Sequence, residues 1–413
     1  MDSDLLKNAS NLPSAPAIPK TIFLTGANGF LGHILCIDWM EKVATHNGKV
    51  ICLVRAKDKE AAYERLANEF KGLDQHFENK FLQLADKHLE VLAGDISKSL
   101  FGLSPETYVR LTKTVDRICH PAALVNHRLA YPHLFGPNVV GTTEILRLAI
   151  TNTKKTIDFV STLGVQGLVD KRKMNNEESP LLEAVKMTKG YANGYAISKW
   201  ASEHLLQKAS KALDLPINTF RCDMILADQR YKGQVNNTDM FTRLLYSIIL
   251  TGLAPDSFYV LNKEGSKASA HYDGTPVDVL SKAIIGVSEK ENKGYKTYNL
   301  LNYHHDDNRS LDTFVDWIEE AGYSINRLDH KTWVERIKDK LKALPEEQRQ
   351  QSVLDLMMAY SRPYPPNVVT AGCANYQALV KQLFKGGDIP SLSKAFIDKN
   401  LEDMRLLKMI EVA

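Results

Sequence analysis

Cysteine pairs, long hydrophobic runs and an excess of charge of one sign are all missing from this sequence of 413 residues. Its five cysteines form no Cys-x-x-Cys pair, which argues against a disulfide framework or a zinc ribbon and indicates a reducing, cytoplasmic setting. The most apolar run, Leu244 to Leu250, is far too short to span a bilayer. The formal charge of +3 gives no reason to expect a nucleic-acid or a membrane partner.

Short segments rich in Val, Ile and Leu alternate with helix-like stretches over the first half of the chain. This alternation predicts an α/β fold, a Rossmann-type doubly wound parallel sheet. After about residue 235 the alternation weakens and residues 306–413 are mostly helical in pattern, so we expect a smaller, mainly helical C-terminal domain. The predicted strands are Thr21–Thr25, Lys49–Arg55, Leu89–Asp95, Val115–His120 and Thr156–Ser161, with a later one at Lys296–Leu300.

A glycine-rich turn connects the first predicted strand to the first predicted helix. Its spacing, Gly-x-x-Gly-x-x-Gly, differs from the commonest dinucleotide fingerprint, Gly-x-Gly-x-x-Gly. Glycines here allow a tight turn and the close approach of a pyrophosphate, to which the helix N-terminus offers unpaired N–H groups. We interpret the segment as a dinucleotide site, with a merely tight turn as the alternative. The predicted cofactor residues of this segment are Thr25, Gly26, Asn28, Gly29, Phe30, Leu31 and Gly32.

The residues that follow the second strand indicate which nicotinamide cofactor binds. An acidic residue there would accept from the ribose 2′-hydroxyl of NAD, but the sequence has Arg55, Lys57 and, on the next helix, Arg65. Cations suit a 2′-phosphate, so we predict NADPH. A solvated basic surface is the alternative, above all for Lys57. Asp95, which with Ile96 follows the third strand, could accept from the adenine amino group or could be a cap or turn residue.

A Tyr-x-x-x-Lys pattern after the fifth strand predicts a catalytic pair, Tyr195 and Lys199. A spacing of four places both side chains on one helix face, where an ammonium group lowers the pKa of the phenol from about 10. The tyrosine can then give a proton to a carbonyl oxygen as hydride arrives at the carbon. Ser161 and Thr162 end the fifth strand. The Thr162 hydroxyl could hold the substrate carbonyl or could simply cap a loop.

This combination resembles the extended short-chain dehydrogenase/reductase family, and further segments look like the terminal thioester reductase domain of carboxylic acid reductases. The match runs from about residue 12 almost to the C-terminus. The segments that carry it are His120–His127, Gly136–Thr142, Gly190–Tyr195, Phe220–Leu226, Asp239–Leu245 and Ser310–Trp317.

The resemblance implies roles for residues that the patterns alone do not single out. Thr162, Tyr195 and Lys199 fall on the family's catalytic triad. Cys222 stands where we expect serine, a departure that affects only fine positioning. The further residues that the resemblance implies for the cofactor site are Pro121, Ala122, Ala123, Asn138, Ser161, Cys222, Asp223 and Met224, together with Tyr195 and Lys199.

The resemblance also implies the substrate, an acyl thioester on the phosphopantetheine arm of a carrier domain that precedes this chain in the same polypeptide. NADPH would deliver hydride to the thioester carbon, and Tyr195 with Thr162 would stabilise and protonate the oxyanion. The hemithioacetal would then expel the pantetheine thiol and leave an aldehyde. We expect the isolated domain to be a monomer, because a carrier-linked domain has no need to dimerise.

These roles predict how the chain is divided. Three prolines among residues 12–19 stiffen the chain and disfavour helix, which is typical of a linker. We expect a linker over 1–19, an NADP-binding Rossmann domain over 20–235 and 265–305, and a substrate- and carrier-binding domain over 236–264 and 306–413.

Two other functions stay open at this point. A sugar-nucleotide epimerase or dehydrogenase of the same superfamily would have an acidic residue where Arg55 stands. A non-catalytic NADP-binding sensor would lack the tyrosine or the lysine. The run His304–Asp307 is a possible metal cluster by composition, but adjacent histidines on an extended segment point in opposite directions and we see no partner at ligand spacing. We therefore predict no metal.

Overall fold

The computed structural model describes residues 9–169, 177–188, 192–366 and 371–412. The chain divides into two compact units. Unit 1 consists of Met1–Cys222, Val279–Leu300 and Ala371–Asp388, and unit 2 consists of Asp223–Asp278, Leu301–Thr370 and Ile389–Ala413. No helix within the described ranges is both long and apolar enough to cross a membrane.

The strands and helices follow one another as the alternating pattern indicates. The strands are β1 (Thr21–Thr25), β2 (Lys49–Val54), β3 (Leu89–Ala93), β4 (Arg117–His120), β5 (Thr156–Thr162), β6 (Ile217–Cys222), β7 (Ile225–Leu226), β8 (Leu253–Pro255), β9 (Thr275–Pro276), β10 (Tyr295–Leu300) and β11 (Asn326–Leu328). The helices are α1 (Phe30–Ala44), α2 (Lys59–Ala67), α3 (Gln75–His88), α4 (Pro105–Thr114), α5 (Tyr131–Leu134), α6 (Gly141–Ala149), α7 (Asn193–Leu213), α8 (Met240–Thr251), α9 (Val277–Lys290), α10 (Leu311–Glu320), α11 (His330–Lys342), α12 (Glu346–Gln351), α13 (Ala374–Leu383) and α14 (Lys394–Leu406).

A parallel sheet of seven strands forms the centre of unit 1, in the order β10-β6-β5-β4-β1-β2-β3. Every neighbouring pair runs parallel. Strands of such sheets are buried on both faces, and all six residues of β6 are buried. The chain runs outward from β1 to β3 and then returns to β4 on the other side of β1. The carboxyl ends of β1 and β4 therefore flank the switch point at which open α/β sheets bind ligands. The predicted α/β Rossmann-type fold is confirmed.

A buried carboxylate, Asp158 on β5, joins three strands and a helix. It accepts hydrogen bonds from Arg117 Nε at 2.5 Å and Nη2 at 2.9 Å. Asn218 Nδ2 and Ser288 Oγ, on β6 and α9, donate to the same group at 2.9 and 2.7 Å. Removing one partner of such a buried ion pair costs about 3–5 kcal/mol, so this cluster fixes how the strands that carry the site lie beside one another.

Helix α13 belongs to unit 1, although its residues fall within the predicted substrate domain. Asn375 Nδ2 donates to the Thr297 carbonyl of β10 at 3.1 Å, and Asn299 Nδ2 donates to the Gly372 carbonyl at 2.7 Å. Leu383 of α13 packs closely against Gly286 of α9, since a Cβ on Gly286 would lie only 2.2 Å from the Leu383 side chain. These contacts explain why residues 371–388 belong to unit 1. The units also differ from the predicted domain bounds at residues 223–235, 265–278 and 301–305, which belong to unit 2.

Part of the predicted linker packs on unit 1. Ala9 is fully buried. Lys154 N donates to the Pro13 carbonyl and Ala15 N donates to the Lys154 carbonyl, both at 2.8 Å. Residues 1–8 of the predicted linker lie outside the described residues.

Unit 2 combines helices with two short parallel strand pairs, β7 with β9 and β8 with β11. Its core is aromatic: the ring of Phe258 packs edge-on against Trp333, with centroids 5.3 Å apart, and against Tyr360 at 6.2 Å. Asp312 at the start of α10 accepts from Phe258 N at 2.8 Å. Its helices α8, α10, α11, α12 and α14 agree with the expectation of a smaller, mainly helical domain.

Candidate active site

The glycine-rich turn is shaped by close backbone approaches at two of its glycines. Gly26 has a positive φ of 63°, and a Cβ there would lie 2.9 Å from the Cα of Ala122. A Cβ on Gly32 would lie 1.8 Å from the Gly26 carbonyl oxygen. Only glycine fits either position. The turn thereby lies directly against the Pro121–Ala123 backbone after β4, which joins two of the segments predicted to contact the cofactor.

Helix α1 begins in this turn with its N-terminal groups open to a ligand. Gly29 is the N-cap residue and no side chain caps the helix. Such an N-terminus presents unpaired N–H groups and the positive end of the helix dipole, a combination that binds phosphate. Leu31 and Gly32 are buried, and Phe30 and Asn28 are partly buried. The arrangement fits the pyrophosphate of a dinucleotide.

The cationic residues predicted after β2 differ in how firmly their side chains are held. Arg65 Nη1 donates to the Arg55 carbonyl at 2.7 Å. With the Asn28 amide oriented to match, its oxygen accepts from Arg65 Nε at 3.2 Å and Nη2 at 3.3 Å. The Arg65 guanidinium therefore lies between the end of β2 and the glycine turn. The Lys57 side chain is 83% exposed and pairs with Asp58 at 3.8 Å, as expected for a solvated surface charge.

Asp95 shapes the turn that follows β3. Its Oδ1 accepts from Ser97 N at 2.9 Å and Ser97 Oγ at 2.7 Å. Partial burial opposes ionisation, but these hydrogen bonds and the charges of Arg55 and Lys98 outweigh it and lower the pKa of Asp95. The side chain of the next residue, Ile96, packs against Gly141 at the start of α6. Asp95 therefore holds the turn after β3, and its contact with adenine stays a prediction.

The predicted catalytic pair lies buried on α7. The exposed fraction is 9% for Tyr195 and 2% for Lys199. Gly194 lets the helix start close to the preceding loop, since a Cβ there would lie 2.3 Å from the Leu129 carbonyl oxygen. Lys199 Nζ donates to the Val160 carbonyl of β5 at 2.7 Å and lies 4.6 Å from the centre of the Phe159 ring. Lys199 is therefore held at the carboxyl end of β5.

Burial dominates the electrostatics of this pair. It raises the pKa of the Tyr195 phenol, and the neighbouring Cys222 adds to the effect. It lowers the pKa of Lys199 to about 8, although Glu203 and Cys222 act in the opposite direction. The direction for Tyr195 is opposite to the expected one, because desolvation by burial dominates its pKa and the Lys199 ammonium is directed at a backbone carbonyl. A phenol with a raised pKa stays protonated and can donate a proton.

Thr162 and Cys222 lie side by side at the ends of β5 and β6, where they are register partners. The Thr162 hydroxyl oxygen accepts from Gly164 N at 3.2 Å and caps a 3₁₀ turn, Leu163–Leu168. This is the loop-capping alternative, and the hydroxyl hydrogen is still available to a ligand. Cys222 is 3% exposed. Asp223 and Met224, the other residues predicted for this segment, begin unit 2, where Asp223 Oδ2 accepts from Thr275 Oγ1 at 2.9 Å and the Met224 carbonyl accepts from Thr275 N at 2.9 Å.

Asn138 connects the loop after β4 to the catalytic helix. It lies in a π-helical stretch, Phe135–Val140, of the kind often found at functional sites. Its Oδ1 accepts from Leu124 N at 2.8 Å, and its Nδ2 donates to Ser198 Oγ at 2.9 Å. Ser198 Oγ in turn donates to the Tyr195 carbonyl at 2.8 Å. Asn138 therefore fixes the turn of α7 that carries Tyr195.

Comparisons with known proteins agree with this geometry. Residues 24–284 match the NAD-binding family model described as male sterility protein. Carboxylic acid reductases of Segniliparus rugosus and Mycobacterium tuberculosis are each 42% identical over 99% of this chain, which spans 35% and 36% of their lengths. The crystal structure of the reductase (R) domain of a nonribosomal peptide synthetase from Mycobacterium tuberculosis is 37% identical, with a TM-score of 0.90 over 99% of this chain and 97% of that one. The chain belongs to this reductase domain family.

The family match also gives the cofactor class, NAD(P)H, and the reaction class, oxidoreduction. The chain spans about a third of the length of these two carboxylic acid reductases, so both are much longer proteins. A UDP-glucose 4-epimerase of Bifidobacterium longum shares the fold, at a TM-score of 0.56 and 18% identity.

Two features of the reductase domain site were missed from the sequence. His120 ends β4 fully enclosed, and its Nδ1 is 2.7 Å from Thr25 Oγ1 of β1. Burial and the Lys199 charge lower the pKa of His120 to about 3, so the ring is neutral. Two signals could have found it: His120 ends a predicted strand beside the predicted glycine turn, and it begins a segment that carries the family resemblance.

The second missed feature is a buried ion pair one helical turn beyond Lys199. Glu203 is fully buried and accepts from Arg221 of β6, from Nη2 at 2.7 Å and from Nε at 3.1 Å. Ser161 Oγ donates to the same carboxylate at 2.5 Å. The resemblance implied that Ser161 contacts the cofactor, but its hydroxyl hydrogen is used in this contact with Glu203. The extension of Tyr-x-x-x-Lys by a glutamate four residues later was the signal that could have found it.

Proposed function

We propose that this domain reduces a carrier-bound acyl thioester to an aldehyde with NADPH. The observation that supports the proposal best is the buried Tyr195–Lys199 face at the ends of β5 and β6. It belongs to the same unit as an uncapped helix N-terminus beside Gly26. A protonated acid and a phosphate-binding helix are what a hydride-transfer reaction at a carbonyl group requires.

The cofactor would be held first by the glycine turn and α1. Gly26 and Gly32 leave no room for a Cβ, so the backbone itself forms the surface that a pyrophosphate would approach. The backbone of Pro121, Ala122 and Ala123, next to Gly26, would contact the same ligand. The other residues of the glycine turn that we propose for this contact are Thr25, Asn28, Gly29, Phe30 and Leu31. When bound, NADPH supplies the hydride. We propose that the rest of the cofactor is contacted by five further residues, Ile96, Asn138, Cys222, Asp223 and Met224.

Side chains of this domain would donate the proton and stabilise the negative charge on the carbonyl oxygen. The Tyr195 hydroxyl, kept protonated by burial, would donate its proton to the carbonyl oxygen as negative charge develops there. The Thr162 hydroxyl would donate a second hydrogen bond to the same oxygen. Lys199, held by the Val160 carbonyl, would place a positive charge behind the phenol when protonated. The resulting hemithioacetal would then break its C–S bond, with the pantetheine sulfur taking a proton and the carbon forming the aldehyde.

NADPH rather than NADH is supported by the Arg65 guanidinium. Arg65 is pinned by the Arg55 carbonyl and Asn28, both at the edge of the proposed nucleotide site. A 2′-phosphate there would replace solvent around a guanidinium that is already oriented. The proposed hydrogen bond from adenine to Asp95 has less support than the role of Arg65, because the Asp95 carboxylate already accepts hydrogen bonds from Ser97.

The proposal also includes a carrier partner and a separate role for each of the two units. We infer that unit 1 binds the nucleotide and that unit 2 meets the substrate and its carrier domain, upstream in a longer polypeptide, as the lengths of the relatives suggest. The isolated domain would be a monomer. The five cysteines are free thiols, which supports a reducing, cytoplasmic location.

Turnover of an acyl-pantetheine thioester tests the proposal. The domain is mixed with NADPH and the thioester, the loss of nicotinamide absorbance is followed, and the product is trapped with a hydrazine reagent. Aldehyde formed in proportion to NADPH consumed supports the proposal. Tight NADPH binding without turnover of any thioester would favour the sensor. Turnover of a UDP-sugar but not of the thioester would favour the epimerase or dehydrogenase.

A further inference from the structure

Unit 2 brings together two histidines and an aspartate from segments more than thirty residues apart. One ligand atom from each of His271, Asp273 and His305 lies within 4.8 Å of the others. His271 Nε2 and Asp273 Oδ1 are 3.7 Å apart, and the two histidine rings meet edge to face with centroids 5.1 Å apart. Two ligand atoms of a tetrahedral zinc site are separated by roughly 3.4 Å, so the first pair is already close to that spacing.

The segments that carry these side chains are paired through their backbones. Tyr272 N donates to the Arg309 carbonyl at 2.8 Å, and Ala270 N donates to Asn308 Oδ1 at 3.3 Å. The donor atoms are therefore brought together by the fold itself, so an ion would not have to order two free loops.

His271 is oriented as a metal-binding histidine would be. Its side chain is only 4% exposed, and its Nδ1 is 3.0 Å from Asp307 Oδ1. A carboxylate on one ring nitrogen of a histidine fixes the ring and directs the other nitrogen toward a metal. That other nitrogen, Nε2, also lies 2.8 Å from the Asn302 carbonyl oxygen. Because a carbonyl oxygen only accepts, Nε2 carries the hydrogen in this contact, and an ion would replace that proton and that hydrogen bond.

His305 supplies the third donor. Its ring lies against that of His271, with centroids 5.1 Å apart, and one of its nitrogens is within 4.8 Å of the ligand atoms of His271 and Asp273. Charge at the cluster is also favourable for a cation, since carboxylate oxygens of Asp273 and Asp307 lie 3.7 and 3.0 Å from the His271 ring nitrogens.

We propose that His271, Asp273 and His305 form a binding site for a divalent transition-metal ion of the zinc class. Two imidazole nitrogens with one carboxylate suit zinc and cobalt, whereas calcium and magnesium prefer oxygen ligands alone. The ion would tie the segment before β9 to the segment before α10 within unit 2. None of these three residues has a part in the hydride chemistry proposed above.

His304 provides a matched control, because it adjoins His305 but lies outside the cluster. Its Nδ1 is 3.3 Å from Ser391 Oγ, and its ring packs against Tyr303. Adjacent histidines thus point apart, as the sequence indicated, but His305 meets partners that are distant in the sequence.

The test titrates the untagged full chain with Co²⁺, followed by visible absorption, and with Zn²⁺, followed by calorimetry and by the thermal midpoint. We expect one ion per chain, a cobalt spectrum of low coordination number, and a higher thermal midpoint with Zn²⁺. His305→Gln should weaken binding at least about tenfold, while His304→Gln should bind like the wild type. Asp273→Asn should weaken binding in the same way, so the conclusion does not depend on one variant. No saturable binding, or equal binding by His305→Gln and the wild type, would overturn the proposal and leave His271 as an ion-paired histidine.

Discussion

Replacing Arg65 with glutamine should change cofactor preference without changing the fold. The guanidinium is exposed but held in place by the Arg55 carbonyl at 2.7 Å and by Asn28. A hydrogen bond between charged partners contributes about 1.5–3 kcal/mol, and each 1.4 kcal/mol is a factor of ten in affinity. The variant should therefore bind NADPH about 10- to 150-fold more weakly. NADH lacks the 2′-phosphate, so its affinity should change little.

Fluorescence titration of both nucleotides against the wild type and the variant measures this difference. Lys57→Gln is the matched control, because its side chain is 83% exposed and pairs only loosely with Asp58 at 3.8 Å. We expect the control to retain NADPH affinity within a factor of about three, typical of a screened surface charge. The reasoning fails if Arg65→Gln weakens NADH as much as NADPH, or if Lys57→Gln has the larger effect.

Two further predictions concern the charges around the catalytic helix. If the Lys199 ammonium takes part in the reaction, the rate should fall as pH rises through about 8, because burial lowers its pKa to that value; a flat pH–rate profile from 7 to 9 would contradict this role. Glu203→Gln leaves the Arg221 charge buried without its partner, so urea unfolding should show a loss of about 3–5 kcal/mol. Glu319→Gln, which breaks a partly exposed pair with Arg327, should lose no more than about 1 kcal/mol.

The parts of the site that are local in sequence could be predicted. Gly26 and Gly32 stand out because a strand, a turn and a helix follow one another within a dozen residues. Tyr195 and Lys199 share a helix face by spacing alone. Most strands of the sheet were predictable for the same reason, but β6 was not, because Asn218, Thr219 and Arg221 interrupt its apolar pattern.

Contacts between distant segments could not be predicted in this way. Glu203 pairs with Arg221 across two elements, and His305 meets His271 through the pairing of two loops. The return of α13 to unit 1 depends on side-chain contacts with β10 that no periodicity reveals. The pKa of Tyr195 depends on burial and on where the Lys199 ammonium points, and neither follows from the Tyr-x-x-x-Lys spacing.

The rate of thioester reduction by Tyr195→Phe tests the central claim most directly. A positioned proton donor contributes about 10²- to 10⁴-fold to such a rate, and phenylalanine keeps the ring that packs against His127, 5.5 Å away. Tyr108→Phe is the control, since Tyr108 lies on α4 and its buried hydroxyl has no hydrogen-bond partner among the described residues. The account predicts that Tyr195→Phe binds NADPH normally and loses at least about 100-fold in turnover, while Tyr108→Phe stays active. Full activity of Tyr195→Phe would contradict it.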